Sequence, residues 1–360
     1  MVGEFNKIIK IMKLLPLLCI ITCSFCFAQI PPGYYNSAQG LTGNNLKIAL
    51  HNIIKNHSVI SYNSLWNVYT KTDKMPNGKV WDIYSDVPSG TPPYEFTFGT
   101  DQCGSYSNEG DCYNREHSWP QSWFNSVNGP VSDLFQVYPT DGKVNGQRNN
   151  YPYGDVGIAS WTSLNGSKLG SCSDTGYSLT VFEPIDEYKG DLARTYFYMS
   201  TRYYSEDAGW SSSGATNKSD ILPWQVNVLL QWHHQDSVSA KEIARNDSIY
   251  YLFQNNRNPY IDNPQWADSI WKTTVFAFVN EIKYENSFSI YPNPATDFLF
   301  IEKKSLFTPV SYKIFNSMGF LVSIGKIESN KIEISKLNAG IYFIQIMTDK
   351  GNFGSKFIKQ

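Results

Sequence analysis

Four stretches of the chain repeat apolar residues at helical spacing. From Asn45 to Lys55, Leu46, Ala49, Leu50, Ile53 and Ile54 share one face of a 3.6-residue helix. Asp191 to Tyr204 predicts a second helix, with Asp191 as N-cap and Leu192, Tyr196 and Met199 turned inward. Ser239 to Phe253 predicts a third, opened by a Ser with Glu242 three residues later in a capping-box arrangement. Pro264 opens a short fourth through Trp271, where its missing N–H costs nothing. Beyond Ser287 the period changes. Phe298–Ile301, Tyr312–Phe315, Lys331–Ile334 and Ile341–Ile346 are short alternating runs broken by turns, which predict a small β-sandwich. Residues 85–185 are rich in Gly, Pro, Asn, Ser and Tyr and read as a long irregular region, a kind that is often functional. The expected fold class is α+β: one mixed domain over 29–283 and an all-β tail over 287–360.

The first 28 residues stand apart. Lys7, Lys10 and Lys13 precede an apolar run from Leu14 to Phe27 that ends at Ala28, the pattern of a secretory signal peptide. That run is shorter than the ~20 residues a membrane helix needs, and no later run is longer, so no membrane span is expected. Cys19, Cys23 and Cys26 each lack the small preceding residue of a lipoprotein anchor. Removal of 1–28 leaves Cys103, Cys112 and Cys172, and export permits a disulfide. Cys103 with Cys112 is the local pairing of the three available. Aromatic residues make up 15 % of the chain and charged residues 17 %, a balance that excludes a disordered polymer. Both ends are basic and the centre is acidic, so a polyanionic partner would need a local basic groove or a metal ion to supply positive field.

The chemistry concentrates between residues 111 and 151. Glu116 and His117 are adjacent, and on an extended segment they point to opposite sides, so one can hold a metal while the other faces a substrate. A carboxylate from Glu116 and an amide oxygen from Asn145 are hard ligands suited to Mg²⁺. A neutral His117 is a general base near neutral pH. A guanidinium suits phosphate, and Arg115, Arg148 and Arg194 all compete for that role. Together these parts describe metal-assisted phosphodiester hydrolysis. Blander readings stand beside them. Asn145-Gly146 alone reads as a tight turn. His233, His234 and Asp236 form either a transition-metal cluster or the cap of a helix C-terminus. Glu183, Asp186 and Glu187 form a second metal site or serve as partners of Lys189 and Arg194. His51 and His57 read as solvated. Trp119, Trp123 and Tyr151 stack bases or pack in the core. No His, Cys, Arg or Trp follows Trp271, which leaves the tail without candidate catalytic groups.

Asn114-Arg115-Glu116-His117-Ser118-Trp119-Pro120, followed by Tyr138-Pro139-Thr140-Asp141-Gly142-Lys143-Val144-Asn145-Gly146-Gln147-Arg148, resembles the endonuclease I family of exported nucleases. Val181 to Pro184, Lys189 to Arg194, Trp232-His233, Gln254 and Asn256 to Pro259 extend the likeness over residues 34–270. The resemblance implies a ββα-metal, or His-Me finger, core braced by helices. It implies that His117 activates water, that Glu116 and Asn145 hold Mg²⁺ (or Mn²⁺ or Ca²⁺), and that Arg148 neutralises the phosphate. The substrate it implies is DNA, and often RNA, cut to leave 5′-phosphates with little sequence preference. Many relatives carry His where this chain has Phe135 and Gln136. That departure supports a second reading, a weak or inactive nuclease scaffold acting as an extracellular binding protein. A third reading is a hydrolase of another ester built on His233 and His234. Tyr291-Pro292-Asn293-Pro294-Ala295, Leu337 to Tyr342 and the Lys-containing end resemble the C-terminal sorting domain of type IX secretion cargo. This implies an Ig-like tail read by that machinery, and a secreted or surface-attached product.

Overall fold

The computed structural model describes residues 30–272, 288–303, 309–316, 321–327, 330–348 and 351–360. The expected signal peptide and the stretch 273–283 lie outside the described residues. α1 (Gly43–Ile54) buries Leu46, Leu50 and Ile54, and α2 (Leu65–Thr72) buries Leu65, Val68 and Tyr69. β1 (Tyr113–His117) pairs antiparallel with β2 (Val137–Asp141), with Tyr113 opposite Asp141 and His117 opposite Val137. β2 runs directly into α3 (Gly142–Arg148). β3 (Val156–Thr162), β4 (Lys168–Cys172) and β5 (Thr180–Glu183) make a three-stranded antiparallel sheet in chain order. The irregular reading of 85–185 is therefore corrected. Its strands escape the pattern because β1 reads Tyr-Asn-Arg-Glu-His and β3 is largely exposed, so neither shows an apolar alternation. Cys103 and Cys112 are joined in a disulfide, as the local pairing predicts.

α4 (Lys189–Arg202) is buried at every residue, so its polar groups require internal partners. Lys189 Nζ meets Glu183 Oε1 at 2.8 Å, Asp186 Oδ1 at 2.8 Å and Asp155 Oδ1 at 3.2 Å, which is the plainer of the two readings of that acidic cluster. The expected N-cap is corrected. Asp191 lies inside the first turn, and the N–H of Gly190 is taken by Asp236 Oδ2 at 2.8 Å, from a distant segment rather than a local cap. A short pairing of β6 (Thr216–Asn217) with β7 (Asp220–Ile221) leads into α5 (Pro223–Gln235), which packs on α4. α6 (Ala240–Ile249) opens with both halves of the predicted capping box: Glu242 N to Ser239 Oγ at 3.1 Å, and Ser239 N to Glu242 Oε2 at 2.8 Å. The same Glu242 receives Arg194 in a bidentate pair at 2.5 and 2.8 Å. α7 (Pro259–Asp262) and α8 (Gln265–Ala267) complete the helical layer, with Pro264 at the mouth of α8.

The tail is an all-β unit. β8 (Phe288–Tyr291) and β9 (Phe298–Lys303) share a sheet with β12 (Lys331–Glu333). β10 (Pro309–Asn316) and β11 (Leu321–Lys326) share a second with β13 (Gly340–Thr348) and β14 (Gly351–Lys359), in the order β11-β10-β13-β14. Leu299, Ile301 and Ile332 of the first sheet and Ile314, Ile344, Ile346 and Phe357 of the second form one apolar core. Asn293 links the opening motif to the last strand, accepting from Ile358 N at 2.9 Å and donating to Lys356 O at 3.2 Å.

The histidines are mostly interior. His51 and His57 are buried, which corrects their solvated reading: His51 Nδ1 lies 3.1 Å from the carbonyls of Thr201 and Arg202, and His57 Nδ1 accepts from Arg202 Nε at 2.7 Å. His233 and His234 occupy the last turn of α5. His233 Nε2 lies 3.0 Å from Pro264 O, whereas His234 Nε2 reaches Asp268 Oδ1 at 3.1 Å. Burial, aided by Arg194, lowers His233 to about 4.

Two predictions follow from this interior. Arg245 joins Asp73 Oδ1 at 2.7 Å and the carbonyls of Leu134 and Val137, with both side chains buried. Arg245→Ala leaves Asp73 buried and unpaired and should cost about 3–5 kcal/mol in chemical denaturation, and Arg245→Met with Asp73→Asn should recover most of it. The unfolded chain protonates His233 near 6.5 and the folded one near 4, so its stabilising share is lost as pH falls below about 6.5. Between pH 7 and pH 5 that loss is about 2 kcal/mol. Urea unfolding should show a smaller acid loss in His233→Gln than in the parent protein, and equal losses would contradict a buried neutral ring.

Candidate active site

The β1–β2 hairpin and α3 bring the candidate residues together. An open cavity of about 370 Å³ is bordered by Arg115, Glu116, His117, Gln121, Asn145 and Asn149, among others. Glu116 and His117, expected on opposite sides of an extended strand, are neighbours at the end of β1 and both border this cavity. Asn145 sits mid-helix on α3 rather than in the turn that Asn-Gly suggests, and its Nδ2 donates to Asn114 Oδ1 at 2.7 Å. α3 is anchored at its start by Asp141, whose Oδ1 accepts from Val144 N at 2.8 Å and whose own N–H donates to Asp82 Oδ2 at 3.0 Å. Burial, reinforced by the neighbouring Asp141, pushes Asp82 up to about 8.

His117 is held on several sides. Its Nε2 lies 2.9 Å from Val131 O, an obligate acceptor, so Nε2 carries the proton and Nδ1 keeps the lone pair. Gln121 Nε2 lies 3.1 Å from both ring nitrogens, and the rings of Tyr62 and Phe124 flank the imidazole at 5.7 and 6.1 Å. Burial lowers its pKa to about 4, with Arg115 and Arg148 acting in the same direction and the Val131 carbonyl opposing. The ring is therefore neutral near pH 7.

Glu116 is buried, and burial raises its pKa; Arg148 and the Tyr84 hydroxyl oppose that. Its Oε1 lies 3.1 Å from Arg148 Nη1 and accepts from Tyr84 Oη at 2.9 Å. Arg148 itself has no exposed surface and does not border the cavity. Its guanidinium donates to His117 O at 2.8 Å and to Ser118 O, and lies 4.5 Å from the Tyr153 ring centre. The expected phosphate-neutralising Arg148 is thus found behind the site, with its donors turned to protein. Arg194 is further removed, fully buried on Glu242. Arg115 is the arginine on the cavity. It lies over Tyr62 and Trp66, 3.7 and 4.6 Å from their ring centres, and donates to Tyr62 O at 2.9 Å.

Phe135 and Gln136 do not border the cavity. Phe135 packs on Tyr198, and Gln136 donates to Pro130 O while its carbonyl receives Ser118 N at 3.0 Å. Trp119 and Trp123 are core residues. Sequence reasoning missed Gln121, Tyr62 and Asn149. Asn149 shows one recognisable oddity, a φ of 53° with ψ −128°, a backbone state that costs a non-glycine residue about 1–3 kcal/mol and gathers at functional sites. Among the described residues, no group of three or more His, Cys, Asp or Glu is placed to hold a metal ion, so His233, His234 and Asp236 do not converge as one. They end α5 instead, the plainer of their two readings.

Residues 42–265 match the family described as Endonuclease I, and residues 289–360 match the secretion system C-terminal sorting domain. An "Extracellular ribonuclease" of Bacillus subtilis (strain 168) is 35 % identical over 248 residues, 66 % of this chain and 78 % of that protein. The protein of the same name from Bacillus amyloliquefaciens is 35 % identical over 247 residues, 66 % of this chain and 78 % of its own length. An "Endonuclease-1" of Buchnera aphidicola subsp. Baizongia pistaciae (strain Bp) is 30 % identical over 131 residues, 36 % of this chain and 46 % of that protein. Among the described residues no helix is long and apolar enough to cross a membrane. The chain is a secreted or cell-surface protein with a type IX sorting tail, and it belongs to the endonuclease I family.

Proposed function

We propose that the protein is a secreted endonuclease that hydrolyses phosphodiester bonds in DNA and RNA, with a divalent cation held at Glu116 and Asn145. The observation that carries this reading is one cavity bordered by a neutral His117, the Glu116 carboxylate and the Asn145 amide. We assign 1–28 to a signal peptide, 29–283 to a His-Me finger catalytic domain and 287–360 to an Ig-like sorting tail.

The donor set fits a hard cation. It offers one carboxylate and several amide oxygens, with no thiolate, and Asn145 commits its Nδ2 to Asn114 and leaves its oxygen for another partner. When bound, Mg²⁺, or Mn²⁺ or Ca²⁺ in its place, supplies Lewis-acid stabilisation of charge on the phosphate and the leaving oxygen. His117 donates Nε2–H to Val131 O and presents Nδ1 as the proton acceptor for an attacking water. Arg115, spread over two aromatic rings at the cavity, pairs with the phosphate. Arg148 acts behind them, offsetting the buried charge of Glu116 and fixing the carbonyls of residues 117 and 118. A site that engages the backbone rather than base edges accounts for low sequence preference and for action on both nucleic acids.

Plasmid DNA and a single-stranded RNA, incubated with the protein in Mg²⁺ or EDTA, provide the test. Cleavage should require the cation, and His117→Ala should lose about 10²–10⁴-fold with its circular dichroism unchanged. Absence of cleavage of either substrate by folded protein, with any divalent ion, would overturn the reading in favour of a binding scaffold. The two arginines should separate. Arg115→Ala should lower kcat/KM about tenfold or more at unchanged Tm, whereas Arg148→Ala should destabilise by about 3–5 kcal/mol by leaving Glu116 buried without its counter-charge.

A further inference from the structure

α3 is a poor helix by composition. Two of its seven residues, Gly142 and Gly146, are glycines, which rank near the bottom of helix formers. Neither has a positive φ, so backbone freedom does not explain them. They stand four apart and so share one face. A Cβ on Gly142 would lie 2.5 Å from Tyr106 Cδ1 and 3.0 Å from Cε1. One on Gly146 would lie 2.3 Å from Tyr106 Oη and 3.1 Å from Cζ. The tyrosine ring therefore lies lengthwise along α3, its base over the first glycine and its hydroxyl over the second.

Tyr106 is not a loose side chain. It belongs to the loop 103–112, closed by the Cys103–Cys112 disulfide. Asp111 Oδ2 ties the loop internally, accepting from Ser107 N at 2.7 Å and Asn108 N at 2.8 Å. The loop is bound to the start of α3 twice: Gly110 N donates to Asp141 Oδ2 at 2.7 Å, and Gly142 N donates to Cys112 O at 2.9 Å. Asn145 lies between the two glycines in sequence, and Gly146 borders the active-site cavity.

We propose that Tyr106 is a positioning residue of the active site: seated on Gly142 and Gly146, its ring sets the depth and rotation of α3 and so places the Asn145 amide at the cavity. The link to activity rests on the nuclease reading above; the ring–helix contact does not. A methyl group at Gly142 evicts the ring, and loss of the ring leaves the two-glycine face of α3 without its packing partner.

The test uses the full-length protein as Tyr106→Ala, Tyr106→Phe, Gly142→Ala, the Tyr106→Ala/Gly142→Ala double variant and Asn145→Ala. Each is measured for Tm, for affinity toward Mn²⁺ alone by calorimetry, and for kcat/KM on plasmid DNA. Gly142→Ala should lower Tm by several degrees in the parent protein and leave it unchanged or higher once Tyr106 is alanine. Mn²⁺ affinity and kcat/KM should fall about 10–100-fold in Tyr106→Ala, the range typical of groups that orient a metal ligand, and stay near the parent value in Tyr106→Phe. Equal Tm changes from Gly142→Ala in both backgrounds would overturn the contact. A Tm coupling with unaltered Mn²⁺ affinity in Tyr106→Ala would overturn the positioning role. Unaltered Mn²⁺ affinity in Asn145→Ala would overturn the metal assignment and the positioning role with it, while the Tm cycle would still report the ring on the helix.

Discussion

The Arg148–Glu116 pair is the interaction on which the candidate site is built. Both groups are buried, and the cost of burying either alone is several kcal/mol. Bringing them to 3.1 Å fixes where the end of α3 must lie against the end of β1. Arg148 Nη1 and Nη2 also donate to the carbonyls of His117 and Ser118, so the same guanidinium sets the backbone that carries the imidazole. Tyr84 and Tyr153, their hydroxyls 2.9 Å apart, close the pair from below. The position of Glu116 at the cavity is thus set by Arg148, Tyr84 and Tyr153, none of which borders it.

The same device recurs through the domain. Arg194, Arg245 and Arg257 are each almost fully buried; the first two are matched to carboxylates and carbonyls, and Arg257 to the carboxylates of Asp247 and Asp262. A helix such as α4, polar in sequence yet buried all round, survives only because such partners exist. Motif residues far from the cavity do this work too. Gln254 receives Leu134 N at 2.5 Å and donates to Asp133, and Asn256 donates to Tyr198 at 2.8 Å. Their presence among the family-like stretches reflects the architecture that holds the hairpin rather than contact with substrate.

The cavity faces a domain whose net charge is acidic, a poor match for a polyanion. Arg115, a half-buried guanidinium, brings positive charge to the edge of the cavity. The tail is a separate two-sheet unit with its own core, consistent with a module that is read as an address.

Sequence alone determined whatever depends on neighbours along the chain. The apolar stripe of α1, the Ser239–Glu242 box, the Cys103–Cys112 pairing and the alternating strands of the tail are local devices, visible at short spacing. Glu116, His117 and Asn145, which border one cavity, were legible as candidates because the motif around them is dense. Tertiary structure alone decided the fate of groups whose chemistry depends on which distant atoms fill their hydrogen bonds. Arg148 and Arg115 are equivalent as letters; one is enclosed by Glu116 and two carbonyls, the other opens on the cavity. His51 and His57 read as polar surface until Thr201 and Arg202, about 150 residues away, bury them. Tyr106 carried no signal, because a ring lying on two glycines is a fact of packing that no local pattern encodes.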